Sequence, residues 1–152
     1  MGRRFRPKSL AFDTPRGIGS RWRDVPEKEY DMSENGYGKA VLEELRPLHR
    51  ELRHAIPDVY KGFGEFHHAA FAPGALDAKT KELIAMAIGV IERCDGCIAS
   101  HAEGAARAGA TRQEAAEAIG VAMLMNGGPA TIYGPRAYAA FCEFTPAATA
   151  AA

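Results

Sequence analysis

Cys94, Cys97 and His101 form the run C-x-x-C-x-x-x-H, the strongest chemical pattern in the chain. On a helix, at 100° per residue, the three side chains fall within about a 60° arc of one face. Two thiols and an imidazole are then presented together. A cysteine in the first turn of a helix feels the positive end of its dipole. A neighbouring imidazole can take a thiol proton, or stabilise the thiolate once it is itself protonated. A second thiol three residues away can turn a sulfenic acid into a disulfide. Gly96, between the cysteines, keeps the backbone permissive and the pair unshielded. The pattern predicts thiol redox chemistry carried by a redox-active disulfide, with no other cofactor.

Two other readings of the same residues stand beside it. Free cysteines are often buried small hydrophobes. Two thiolates and an imidazole are also three quarters of a tetrahedral zinc site. The fourth ligand would have to be Cys142, Glu82 or an acid near the turn. All three candidate ligands lie on one short helix and no second paired motif exists, so no metal is expected. Cys142 sits among Tyr138, Phe141 and Phe144 and reads as core.

The elements that must position these residues are helical. Residues 1–35 are rich in Arg, Pro, Gly and Ser and form a basic irregular arm. From Asn35-Gly36 onward, Val41, Leu42, Leu45, Leu48, Leu52 and Ile56 recur at helical spacing, with Pro47 expected to kink or restart the helix. Pro57 suits the first position of a second helix carrying Val59, Tyr60, Phe63, Phe66 and Phe71, which Pro73-Gly74 ends. Asp77 is the predicted N-cap of a helix over 78–92. Arg93-Cys94-Asp95-Gly96 interrupts that run, and a new helix starts there and closes at Gly109. Thr111 and Glu114 make a capping box for a helix through about Met125, closed by Asn126-Gly127-Gly128. Pro129 opens the last helix, expected to break at Gly134-Pro135 and to end near Phe144. The predicted organisation is an arm at 1–35, an all-α bundle at 36–145 with the C-x-x-C at the start of a central helix, and a frayed tail at 146–152.

Composition bounds the function. With 152 residues, 47% of them hydrophobic, the chain can bury one domain core. Formal charge is zero overall, but residues 1–23 carry seven basic groups against Asp13, leaving the remainder at −6. No aromatic interleaving or recognition-helix pattern follows the basic arm, so a solvated or oligomer-packed tail is expected rather than a nucleic-acid partner. No apolar run of signal or membrane-spanning length is seen, and no membrane association is expected. The expected location is the cytoplasm, where thiols are kept reduced and a C-x-x-C reads as redox or metal chemistry.

Residues 76–128 resemble the core of the carboxymuconolactone decarboxylase and alkylhydroperoxidase D-like family. The resemblance rests on K-x-K-E-L-I at Lys79–Ile84, the C-x-x-C-x-x-x-H, G-A-T-x-x-E at Gly109–Glu114, and the closing Gly127-Gly128. It extends weakly back through 57–75 and forward to about Phe144. It implies an alkylhydroperoxidase D-like helical bundle that assembles into trimers or hexamers. In the peroxidase branch it implies a proton relay of Glu82, Cys94, Cys97 and His101. Cys97 would attack the hydroperoxide and Cys94 would resolve, with His101, assisted by Glu82, removing the proton. The implied reductant is a dithiol donor such as a lipoyl protein. The decarboxylase branch usually lacks the cysteine pair, which argues against lactone decarboxylation.

Glu82 poses a geometric condition. A continuous helix would place it about 18 Å from Cys94, so the chain must reverse near Arg93–Asp95 for it to join the site. Glu92 is the rival acid, expected to be solvated. One departure from the peroxidase pattern is Gly96, where a histidine often stands. The sequence therefore predicts a thiol-dependent peroxidase, with a general disulfide oxidoreductase or a redox-sensing oligomer as alternatives.

Overall fold

The computed structural model describes residues 36–145. The predicted basic arm at 1–35 and tail at 146–152 lie outside them. Six helices follow one another: α1 (Lys39–Ala55), α2 (Pro57–Phe71), α3 (Ala78–Glu92), α4 (Asp95–Arg107), α5 (Arg112–Asn126) and α6 (Gly128–Phe144). No strand occurs among the described residues.

Local chemistry sets most of the boundaries. Pro57 opens α2 at a position whose N–H would be unsatisfied anyway. Asp77 accepts the Thr80 N–H at 2.8 Å and starts α3. Thr111 and Glu114 cap α5 reciprocally. Gly109, with φ at +84°, ends α4 in a Schellman arrangement, its N–H on the Ala106 carbonyl and the Ala110 N–H on Ala105. Arg93 does the same work between α3 and α4 without being glycine. Its φ of 56° makes it the one non-glycine residue in the left-handed region among the described residues, and the Cys94 N–H then reaches back to the Gly89 carbonyl.

The restart at Pro47 and the break at Gly134-Pro135 do not occur: α1 runs without interruption through Pro47, and α6 through Gly134-Pro135. Each proline removes one i→i−4 hydrogen bond. Both prolines, and Glu43 and Thr131 four positions before them, are exposed, so water can serve the orphaned carbonyls. Gly134 itself is buried because α5 presses on it. A Cβ there would lie 2.9 Å from the Ile119 methyl.

Helices α3 to α6 enclose the core, built on Met86, Val90, Ile98, Ile119 and Phe141 with alanines at 102, 105, 115, 122, 130, 137 and 140. So many alanines let the helix axes approach closely, and the few large side chains fill what remains. α1 lies against α4. Its N-terminus is held by Glu143, a buried carboxylate that accepts the N–H groups of Gly38 and Lys39 at 2.9 and 2.8 Å. An acid suits that place, where the helix dipole is positive and backbone donors are unpaired. Neither α1 nor α2 contains a buried residue.

Candidate functional site

The reversal at Arg93 folds α4 back along α3, and this supplies the condition Glu82 needed. The carboxylate of Glu82, on α3, meets Nδ1 of His101, on α4, at 2.7 Å. Only 13% of the Glu82 and 19% of the His101 side-chain surface stays accessible, which protects the contact from water. A carboxylate at Nδ1 holds the ring proton there and leaves Nε2 free to accept one. Glu92, the rival acid, is exposed at the end of α3.

Cys94 and Cys97 are joined as a disulfide, with their Cα atoms 5.2 Å apart. Cys94 is the N-cap of α4, and its sulfur accepts the Cys97 N–H at 3.2 Å. Cys97 is exposed whereas Cys94 is partly covered. Cys97 and His101 are one helical turn apart and therefore share a face of α4. The four predicted site residues thus belong to one antiparallel helix pair, with Glu82 and His101 in direct contact and the disulfide at the start of the same helix.

Glycines make the approach possible. A Cβ on Gly104 would fall 2.5–2.6 Å from the Glu82 carboxyl atoms, so the carboxylate lies in the space a side chain would take. A Cβ on Gly89 would press on Ile98 and on the Cys97 Cβ at 3.3–3.4 Å. Gly96 admits Leu45 of α1, whose Cδ1 would be 2.8 Å from an added Cβ. The C-x-x-C turn is therefore packed beneath α1.

Sequence reasoning did not find the aromatic stack beside His101. Phe71, at the end of α2, lies nearly parallel to the His101 ring with centroids 5.5 Å apart. His67 stacks on Phe71 at 4.5 Å and stands 6.4 Å from His101. The i, i+4 spacing of an imidazole and a phenyl ring on one helix was a visible signal. What they face was not visible. Lys81 fixes the stack in place by donating from Nζ to the carbonyls of Ala70 and Ala72 at 2.9 and 2.5 Å.

The remaining residues of the motifs are structural. Lys79 of K-x-K-E-L-I bonds Glu114 of G-A-T-x-x-E at 2.6 Å, tying α3 to α5. That contact, with the Thr111 N–H and hydroxyl, holds the Glu114 carboxyl down at about 2. Cys142 is free and buried, and burial pushes its thiol above the ordinary range. Among the described residues, no group of three or more His, Cys, Asp or Glu is arranged to hold a metal ion. No helix among them is long and apolar enough to cross a membrane.

Comparison with known proteins agrees with this architecture. The model of the carboxymuconolactone decarboxylase family matches residues 57–138. An uncharacterised protein of Cupriavidus necator is 37% identical over 103 residues, 68% of this chain and 91% of its own length. The crystal structure of a carboxymuconolactone decarboxylase family protein from Legionella pneumophila superposes with a TM-score of 0.68 at 39% identity, over 70% of this chain and 96% of that one. A Thermotoga maritima protein superposes with a TM-score of 0.62 at 30% identity, over 69% of this chain and 92% of its own. A second crystal structure of that protein carries the suggestion of a role in antioxidative response.

Proposed function

The chain belongs to the carboxymuconolactone decarboxylase family, and we propose that within it the protein is a thiol-dependent peroxidase. The observation that carries this reading is the Glu82–His101 pair, 2.7 Å apart, one turn beyond a Cys94–Cys97 disulfide. The antioxidative role suggested for the Thermotoga maritima protein points the same way.

In the reduced protein, Nε2 of His101 takes the Cys97 thiol proton, and Glu82 at Nδ1 stabilises the imidazolium. The Cys97 thiolate attacks the terminal peroxide oxygen. The O–O bond breaks, and the departing alkoxide takes the imidazolium proton and leaves as an alcohol. Cys97 now carries a sulfenic acid. The Cys94 sulfur attacks it, the S–O bond breaks, and water leaves with the Cys94 proton as the disulfide forms.

A dithiol, free or borne on a lipoyl protein, reopens the bond. Its thiolate attacks the exposed Cys97 sulfur, and the negative charge that develops on Cys94 is met by the Cys97 N–H at the N-terminus of α4. The donor's second thiol then closes its own disulfide and releases Cys97. Two electrons and two protons pass from donor to peroxide. The exposure of Cys97 also suits a general disulfide oxidoreductase with no preference for peroxide.

We propose further that the working form is a homo-oligomer, a trimer or hexamer. Exposed apolar side chains support this, among them Ile84, Ile88, Val121 and Met125 along an α3–α5 groove of about 400 Å³.

The test is intact-mass thiol counting before and after one equivalent of hydroperoxide, followed by turnover with a dithiol. Two alkylatable thiols, mapped to Cys94 and Cys97, should disappear and return with the dithiol. Cys97→Ser should abolish turnover. An unimpaired Cys97→Ser protein would rule the mechanism out, and turnover of disulfides without peroxide would select the oxidoreductase reading.

A further inference from the structure

We infer that the cleft between α1 and α2 is a substrate site for a hydroperoxide bearing a carboxylate, a fatty-acid hydroperoxide of intermediate chain length. The inference rests on the peroxidase reading for the reacting end of the ligand, but not for its binding end.

The cleft is open to solvent, has a volume of about 660 Å³ and is lined by His49 and Arg53 of α1 and by Pro57, Tyr60, Lys61, Phe63, Gly64 and His67 of α2. Its two walls lead to the two halves of the redox centre. On α1, Leu45, His49 and Arg53 are spaced by four, so they form one row along the helix. Leu45 packs on Gly96 of the C-x-x-C turn, and the row climbs from there. On α2, Tyr60, Gly64, His67 and Phe71 form the facing row, and its lower end stacks on His101. The rows are joined across the cleft by His49 Nδ1 and the Tyr60 hydroxyl, 2.9 Å apart.

The two ends of the cleft differ in chemistry. The end toward His101 carries Phe63 and His67, and His67 stacks on Phe71, which faces the His101 ring. The far end, where α1 turns into α2 at Ile56-Pro57, carries Arg53 and Lys61. The Arg53 guanidinium lies 5.4 Å from the Tyr60 ring centroid, a contact that orients it without neutralising it. No carboxylate lines the cleft. Glu51, the nearest acid in sequence to Arg53, faces Arg50 instead, at 4.0 Å. Arg53 is eight residues beyond Leu45, a rise of about 12 Å along the helix. A ligand held by an anionic group at Arg53 and Lys61 therefore needs an apolar body of about that length to bring a peroxide to Cys97. Aromatic and proline surfaces along the cleft suit such a body.

The test uses the full chain. Decanoate, which has no reactive group, is titrated calorimetrically against the oxidised protein with methyl decanoate as its uncharged counterpart. Decanoate should bind at least tenfold more tightly than the ester, and the double variant Arg53→Gln/Lys61→Gln should remove that difference while the thermal midpoint holds. In turnover, the ratio of kcat/KM for a carboxylated fatty hydroperoxide over its methyl ester should exceed ten and fall toward one in the double variant. Equal binding of acid and ester overturns the inference, as does a preference that survives the double substitution. Inorganic phosphate binding as well as decanoate also overturns it, because the apolar body would then contribute nothing. Arg53- and Lys61-dependent binding of decanoate without peroxide turnover would keep the site and reject the peroxidase reading. Peroxide turnover that ignores the carboxylate would do the reverse.

Discussion

The α3–α4 pair and the α1–α2 hairpin are both helix pairs joined by one or two residues, yet they are built on opposite terms. α3 and α4 bury Met86, Val90, Ile98, Ala102 and Ala105, and they are fastened across their length by close glycine contacts and by the Glu82–His101 pair. No residue of the hairpin is fully buried, and Leu48, Leu52, Val59, Phe63 and Phe66 are all exposed. It is held by Glu143 at the start of α1, by Leu45 against Gly96 and by Lys81 at the end of α2. Rigid packing is invested where reacting atoms must stay aligned. The hairpin keeps its surface for whatever it meets, a ligand in the cleft or another copy of the chain.

Truncating one large side chain in each region gives the widest contrast. Phe141 is fully buried in the core that supports α3 and α4, and Phe141→Ala should cost about 3–5 kcal/mol in chemical denaturation. Phe66 on α2 is 70% exposed, and Phe66→Ala should stay within about 0.5 kcal/mol. A Phe66→Ala loss approaching that of Phe141→Ala, at a protein concentration where the chain is assembled, would mean that partners cover the hairpin.

The glycines sharpen the same comparison, with a functional readout added. Gly104→Ala places a methyl group within 2.6 Å of the Glu82 carboxyl, and that carboxylate must move off His101. The expected cost is about 1–3 kcal/mol of stability. Peroxide turnover should fall by about tenfold or more, since proton transfer by the imidazole loses its support. Gly62→Ala on α2 meets nothing within 4 Å and should stabilise the protein by about 0.5–1 kcal/mol, with turnover unchanged. Turnover that survives Gly104→Ala would show that Glu82 serves packing alone.

Legibility in the sequence follows the same division. The ends of α3, α4 and α5 could be read because Asp77, Gly109 and the Thr111–Glu114 box act on their own backbone within a few residues. The reversal that brings Glu82 to His101 was announced by the interruption at Arg93–Gly96. Pro47 and Pro135 misled for a reason of the same kind, since both stand where water can serve the carbonyl they orphan. Gly104 and the Phe71–His67 stack were out of reach. A helix-interior glycine signals a close approach but not by what, and a ring on one helix does not say which ring on another it will face. The hairpin's exposure was equally hidden, because its apolar spacing matches that of a buried helix.

The smallest expected effect lies at the fastening between α3 and α5. The Lys79 ammonium beside Glu114, with help from the Thr111 N–H and hydroxyl, brings that carboxyl from 4.5 to about 2. A carboxyl whose folded value lies below its unfolded one stabilises the fold fully above the unfolded value and loses that contribution as pH falls toward the folded one. The Lys79–Glu114 contribution should therefore be whole at pH 5 and above, fade below about 4.5, and be gone near 2. Glu114→Gln keeps an N3 residue able to complete the capping box and removes only the charge. Its thermal midpoint should lie slightly below that of the natural chain at neutral pH, and the gap should close as acid titrates Glu114. Added salt should narrow the gap at neutral pH, as expected for a partly exposed pair. A gap independent of both pH and salt would assign the whole effect to the cap and leave α3 and α5 joined by packing alone.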